Sequence, residues 1–431
     1  MYLYINKRDS AGDIMCGNFG YYIVGDKFFF SQVKAYEESN KSKKPIQHRF
    51  YDEVFEEAHK KGLWKDLSLQ TLYTQRAIQL RQTYDVVAIN FSGGWDSRNM
   101  LDSFEAAGCH VDFIVIQSVK ELEDKGIQNS LDPGNWITEI TNVAIPYAKE
   151  FCQRNPNTKI IVIDGWFSKV LDDFDSNKDN LDHIFLQAAS KPGIMYNRNI
   201  SIQHNQEFMK SIEGGKHACL LAGLDKPIIS HVNYRSAQGH FPESILSRFK
   251  IPRTSAGYDE HIIHENFYWT PFLPEIAIRG WYEMYLLVFK DKNFAIATNL
   301  ATPHQYRTDM FLSLGVQNSI KKVIYPNYDA KVWTVGKPRD WGFLFTLEIP
   351  LIKILDSCRS NWREKLLELF SGIKHNVGDY LQKEENKVSL RQIKDTANLI
   401  GDDRFFFKYK PVNQGPGISL DLDYILTKIK E

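Results

Sequence analysis

The chain carries no excess charge of either sign: 53 basic side chains are matched by 53 acidic ones over 431 residues. That balance argues against a general electrostatic pull toward nucleic acid, although a local basic patch would survive the averaging. Cysteine is scarce and scattered. The five, Cys16, Cys109, Cys152, Cys219 and Cys358, include no C-x-x-C pair. An odd number at wide spacing argues against a disulfide framework, a cysteine zinc site or a cysteine-held iron–sulfur cluster. Reduced, mostly packing thiols are expected instead. Long apolar runs are also missing. No stretch approaches the ~20 residues needed to span a bilayer, and the opening MYLYINKRDSAGD has no apolar segment of the signal-peptide kind. The expectation is a cytoplasmic protein with no membrane partner. There is no internal repeat and no low-complexity segment.

What is present is enough for a sizeable core: 43% hydrophobic and 13% aromatic residues, in a length that suits two or three domains. Phe19–Val24 and Lys27–Phe30 flank Gly25-Asp26 and predict a hairpin in a small N-terminal β unit, residues 1–65. Glu37–Lys44 is polar and reads as a surface loop. From residue 66 the pattern alternates. A helical period over 66–83 precedes Val86–Phe91, a nearly continuous apolar run of the kind a parallel strand shows when both faces are buried. Further strands are expected at 111–116, 159–163 and 217–222, with helices at 135–151, 179–190 and 204–213. Strands alternating with helices imply βαβ units. The fold class is therefore α/β, a Rossmann-like doubly wound parallel sheet over about 66–235. Residues 236–431 read as a mostly helical domain, with helices after Pro274-Glu275, within 351–373 and over 388–400.

Between the first strand and its helix lies Ser92-Gly93-Gly94-Trp95-Asp96-Ser97. Two glycines let a backbone approach an anion closely and adopt positive φ. Successive N–H groups in such a turn form a nest for anionic oxygens, and the helix N-terminus adds partial positive charge. Ser92 and Ser97 supply hydroxyls. Asp96 is out of place beside a phosphate unless it reaches a magnesium ion bound to that phosphate. The loop is neither a Walker A loop, which needs a lysine after its last glycine, nor the GxGxxG dinucleotide fingerprint.

SGGWDS does match the SGGxDS motif, in the same strand–loop–helix setting, of the PP-loop ATP pyrophosphatases, and the chain resembles that superfamily from about residue 84 to 230. The resemblance implies a HUP-type sheet that binds ATP and Mg2+, with Ser92, Gly93, Gly94, Trp95, Asp96 and Ser97 around the β- and γ-phosphates. It also implies cleavage of ATP to AMP and pyrophosphate as a substrate is adenylated. The wider chain is similar to loosely described, asparagine-synthase-like PP-loop proteins of tailed phages. The stretches concerned are LYTQRAIQLRQTYDVVAINFSGGWDS, LLAGLDKPII, YWTPFLPEIAIRGW and KKVIYPNYDAKVW. That likeness brings no reaction with it.

Within the superfamily, the sulfur-transferring branches depend on extra thiols that the spacing here does not offer, which favours carbon–nitrogen bond formation. Met15-Cys16-Gly17-Asn18-Phe19-Gly20 resembles the start of glutamine-hydrolysing asparagine synthetases. That chemistry needs the free amine of an N-terminal cysteine, and here a segment precedes Cys16. Other candidates sit at strand ends, where doubly wound sheets bind ligands. Gln117 and Ser118 end the second strand, where the adenine would lie, and Asp164 ends the third. Lys226, in Gly223-Leu224-Asp225-Lys226-Pro227, either neutralises the leaving pyrophosphate or is a solvated turn lysine. Arg98 either aids phosphate binding or pairs on the surface. His261 and His264 read as a solvated loop in preference to a metal site. The alternatives to a nitrogen ligase are sulfur transfer of the PAPS-reductase or thiolation type, and an ATP-binding module without turnover. The acceptor (nucleotide, nucleic acid or amino acid) and the oligomeric state are not specified by these motifs.

Overall fold

The computed structural model describes residues 8–13, 21–44, 46–49, 52–118, 140–164, 201–223, 228–233, 236–240, 259, 261–290, 319–329 and 427–428. Lys226, Cys16, Cys358 and the helices expected at 179–190, 351–373 and 388–400 lie outside the described residues.

The N-terminal unit is a three-stranded antiparallel sheet. Strand β1 (Tyr21–Val24) pairs with β2 (Lys27–Phe29) on one side and β3 (Ile46–Arg49) on the other. The hairpin turn is made by Gly25, at φ 65°, with Asp26. Between β2 and β3 runs helix α1 (Gln32–Ser42), capped by the Ser31 hydroxyl, which accepts from the Lys34 amide at 3.1 Å. This overturns the surface-loop expectation for Glu37–Lys44. The segment is polar, but a serine cap, worth about 1 kcal/mol, starts a helix whose buried side includes Ala35.

Helices α2 (Asp52–Lys61) and α3 (Leu69–Thr83) lead into the main sheet. Strand β4 (Val86–Asn90) is followed by α4 (Trp95–Ala106), β5 (Phe113–Gln117), α5 (Ile145–Arg154) and β6 (Lys159–Ile163). Then come the short α6 (Gln206–Ser211), β7 (Ala218–Ala222), an antiparallel pair β8 (Ile228–Asn233) and β9 (Ser236–His240), β10 (Ile262–Asn266) and α7 (Glu275–Lys290). The main sheet has the order β10-β7-β4-β5-β6, and every pairing is parallel. The chain steps outward from β4 to β5 and β6, then returns to the other side of β4 for β7 and β10. This is the doubly wound arrangement of a Rossmann-like α/β fold, and it puts the topological switch point between β4 and β7.

The fifth strand of that sheet, β10, comes from beyond residue 235. His264 is therefore a buried strand residue, not part of a solvated loop. Within 236–431 the described residues hold strands β9 and β10 as well as helix α7.

Alternation sorts the strands into two apolar faces. Val87, Ile89, Ile114, Ile116, Cys219, Leu221 and Ile263 share one core with Leu72 and Leu80 of α3, Met100 and Phe104 of α4 and Phe151 of α5. On the opposite face, Phe113 meets Phe208 of α6 with ring centroids 5.6 Å apart. Among the described residues, no helix is long and apolar enough to cross a membrane.

Candidate functional site

All five parallel strands end on one edge of the sheet, and the segment 92–97 leaves β4 there, beside the switch point. Its shape is set by its neighbours. Gly93 sits at φ +80°, and a Cβ on it would lie 3.0 Å from the amide nitrogen of Ala144 and 3.1 Å from that residue's Cα. Ala144 closes a wide π-type turn, Ile140–Ala144, just before α5, where a plain helix was expected. Such turns are frequent at functional sites. Here the turn brings a second stretch of backbone against the glycine. Gly94 is the N-cap of α4, with ordinary extended angles and no side-chain cap. The first-turn N–H groups of α4 thus face the sheet edge, as helix amides face their own N-terminus.

The two glycines therefore do different work. Gly93→Ala is expected to lower stability by about 1–3 kcal/mol through positive φ and the backbone contact. Gly94→Ala, whose Cβ would meet only Ser92 Oγ at 3.4 Å, is expected to cost no more than about 1 kcal/mol as an N-cap change. Urea denaturation of the two variants tests this; equal losses would mean that Gly93 is not the constrained position.

The serines fold the loop onto itself. Ser97 Oγ donates to the Gly94 carbonyl at 3.0 Å and accepts from the Ser92 amide at 3.3 Å, while Ser92 Oγ accepts from the Gly94 amide at 3.4 Å. Arg98 is not a surface residue. It is 8% exposed, donates from Nε to the Gly93 carbonyl at 2.9 Å, and holds its guanidinium 4.6 Å from the Tyr147 ring centre and 5.4 Å from that of Trp95. Tyr147 in turn stacks on Phe91 and donates to Asp102 Oδ1 at 2.6 Å. Arg98 is a brace for the loop, and burial pulls its basicity down.

Asp96 is half-buried, and two tyrosines from distant parts of the chain hold it. Tyr325 donates to its Oδ1. Tyr268, just past β10, donates to its backbone carbonyl at 2.8 Å and accepts from Asn99 Nδ2 at 3.1 Å. Burial pushes the Tyr268 phenol well up, and the nearby Asp96 adds to this. Trp95 meets Tyr328 edge-on, with centroids 4.8 Å apart. Across the switch point, Gly223 at the end of β7 sits so near that a Cβ there would be 3.1 Å from Asp96 Cβ. Sequence reasoning missed Tyr268, Tyr325 and Tyr328. They lie in YWTPF and IYPNY, within three positions of a proline and inside stretches that carry the family likeness, but no helical or strand periodicity marked them as site residues.

The remaining candidates fall as follows. Gln117 and Ser118 are buried at the end of β5, next to β4, and the Ser118 amide donates to the Ile163 carbonyl at 3.0 Å. Asp164 is exposed at the end of β6, two strands from the loop. Among the described residues, no three His, Cys, Asp or Glu side chains gather as metal ligands. Cys109 and Cys152 are half-buried and Cys219 is fully buried, and burial pushes all three thiols up. Compared with known proteins, the chain matches no protein-family model and no curated protein.

Proposed function

We propose that the chain is an ATP pyrophosphatase of the PP-loop class that adenylates a substrate for carbon–nitrogen bond formation. The observation that carries this reading is the placement of Ser92-Gly93-Gly94-Trp95-Asp96-Ser97. The motif leaves the strand at the switch point, with Gly93 at positive φ and α4 opening directly behind it. A triphosphate would lie against the first-turn amides of α4, where the helix dipole and uncapped N–H groups favour anions. Arg98 would hold the loop from behind through the Gly93 carbonyl, out of reach of the phosphates. Ser92 and Ser97, now bonded within the loop, would exchange those contacts for phosphate oxygens. Gln117 and Ser118 lie at the neighbouring strand end, where the adenine would lie on this reading.

Magnesium fits this site as a metal that arrives with phosphate. One half-buried carboxylate, Asp96, stands at the first turn of α4, and magnesium commonly binds through one or two carboxylates plus substrate phosphates and water. When bound, the ion would neutralise charge on the leaving pyrophosphate. A substrate oxygen would displace pyrophosphate from the α-phosphorus in line, and an amine would then displace AMP. The chain's part is positioning and charge neutralisation, which carry most of such a reaction. Burial pushes up the thiols of Cys109, Cys152 and Cys219, the opposite of the lowered pKa that marks a reactive thiol, so none of these three favours sulfur chemistry.

The test is the product pair. Chromatography of an ATP reaction supplied with cell metabolites is expected to give AMP and pyrophosphate. ADP and orthophosphate as the only products would sink the assignment.

A further inference from the structure

Residues 319–324 form a short helix ended by Pro326, and the four residues Tyr325-Pro326-Asn327-Tyr328 make a tight turn in which the Tyr328 amide donates to the Tyr325 carbonyl at 2.9 Å. Proline at the second position of such a turn fixes its φ. Three side chains of this turn land on α4. Tyr325 bonds the Asp96 carboxylate, Asn327 Nδ2 donates to Asp102 Oδ2 at 3.4 Å, and Tyr328 packs on Trp95. The turn is held from below as well: Tyr73 of α3 donates to the Ile324 carbonyl at 3.0 Å. Tyr325 is 3% exposed. A buried hydroxyl on a rigid turn, aimed at one oxygen of a half-buried carboxylate, is the way outer groups orient metal-binding carboxylates.

We infer that Tyr325 is a positioning residue for Asp96: its hydroxyl holds Oδ1 so that the carboxylate is set toward magnesium brought in by ATP. The inference rests on the ATP reading above and deepens it. Two geometric facts favour positioning over blockage. The Asp96 main chain is fixed independently by Tyr268, so the Tyr325 bond acts on side-chain orientation alone. Tyr325 also bonds one named oxygen of the carboxylate, and a carboxylate has several acceptor positions for further partners.

The experiment is equilibrium calorimetry on the full chain, titrating ATP with magnesium and, separately, ATP with EDTA. Tyr325→Phe keeps the ring and its packing and removes only the hydroxyl. Binding with magnesium is expected to weaken about tenfold, the usual scale for a lost outer-sphere partner, while metal-free ATP binds as it does to the parent chain. Placed on Asp96→Asn, the same change is expected to have no further effect, because both substitutions act through one carboxylate. An equal loss in both titrations would mark a merely structural role and overturn the inference. So would unchanged binding, or tighter magnesium-dependent binding, which would make the hydroxyl a competitor of the metal. If the parent chain binds ATP under neither condition, the ATP reading fails and the inference fails with it. That outcome is distinct from a parent that binds ATP and a variant that binds it equally well.

Discussion

Arg76→Met is expected to destabilise the folded chain by about 3–5 kcal/mol, the scale for breaking a buried ion pair from one side. Arg76 is 1% exposed in α3, and Glu265 is 3% exposed in β10. Arg76 Nη2 lies 2.9 Å from Glu265 Oε2 and also donates to the Asn266 carbonyl at 3.0 Å, while Nη1 donates to Gln79 Oε1 at 2.7 Å. Tyr84 donates to Glu265 Oε1 at 2.6 Å, and burial pushes its phenol well up. Methionine fills much of the volume but takes away the buried positive charge that pairs with the Glu265 carboxylate. The loss should show as a lower urea midpoint with an unchanged slope. Arg76→Met with Glu265→Leu is expected to recover most of it, since an apolar pair of similar volume is often as stable as the ions it replaces. A single variant that loses less than about 1 kcal/mol would place the pair among the weak, solvated kind.

This cluster also shows why part of the fold escaped sequence reading. Strand β4 announces itself by Val86–Phe91, because a strand buried on both faces is apolar at nearly every position. Strand β10 is equally buried, yet three of its five residues, His264, Glu265 and Asn266, are polar or charged. The buried charge of Glu265 and the Asn266 carbonyl are answered by partners 181 to 190 residues away, Tyr84 and Arg76. No local pattern encodes a partner that remote. Helix α1 was missed for the opposite reason: its exposed side is so polar that EESNKSKK masked the small buried side around Ala35.

The candidate site divides along the same line. Loop 92–97 stood out in the sequence because its residue types recur at fixed short spacing, the pattern its proposed phosphate-binding role would need. The tyrosines that hold it did not, since Tyr268 and Tyr325 reach Asp96 across 172 and 229 residues of sequence. Arg98 was legible as a charge near the loop but not as a buried brace. That role depends on Tyr147, which the topology supplies from the next βα connection.

Under the proposed reading, Asp96→Asn is expected to reduce turnover at least ~10²-fold, the scale for removing one preorganised electrostatic group. The substitution isolates charge. Asparagine keeps the shape, and its side-chain oxygen can still accept from Tyr325, while Tyr268 bonds the backbone carbonyl and is untouched by the change. Asp96 is more enclosed than a loop at a sheet edge would lead one to expect, so the fold needs its own check. An acidic residue in the first turn of a helix contributes about 0.3–1 kcal/mol through the dipole, and the stability measured by urea denaturation should fall by no more than that. The rate of AMP formation is then compared at matched folded fraction with saturating ATP and magnesium. Asp102→Asn serves as the control. Asp102 lies on the same helix and also accepts from two side chains, those of Tyr147 and Asn327, but stands nearly two turns further from the loop. Its loss is expected to change turnover far less. If Asp96→Asn kept the full rate, the metal would have to be held by other residues. If both variants fell together, the effect would belong to the packing of α4 and not to a charge beside the phosphates.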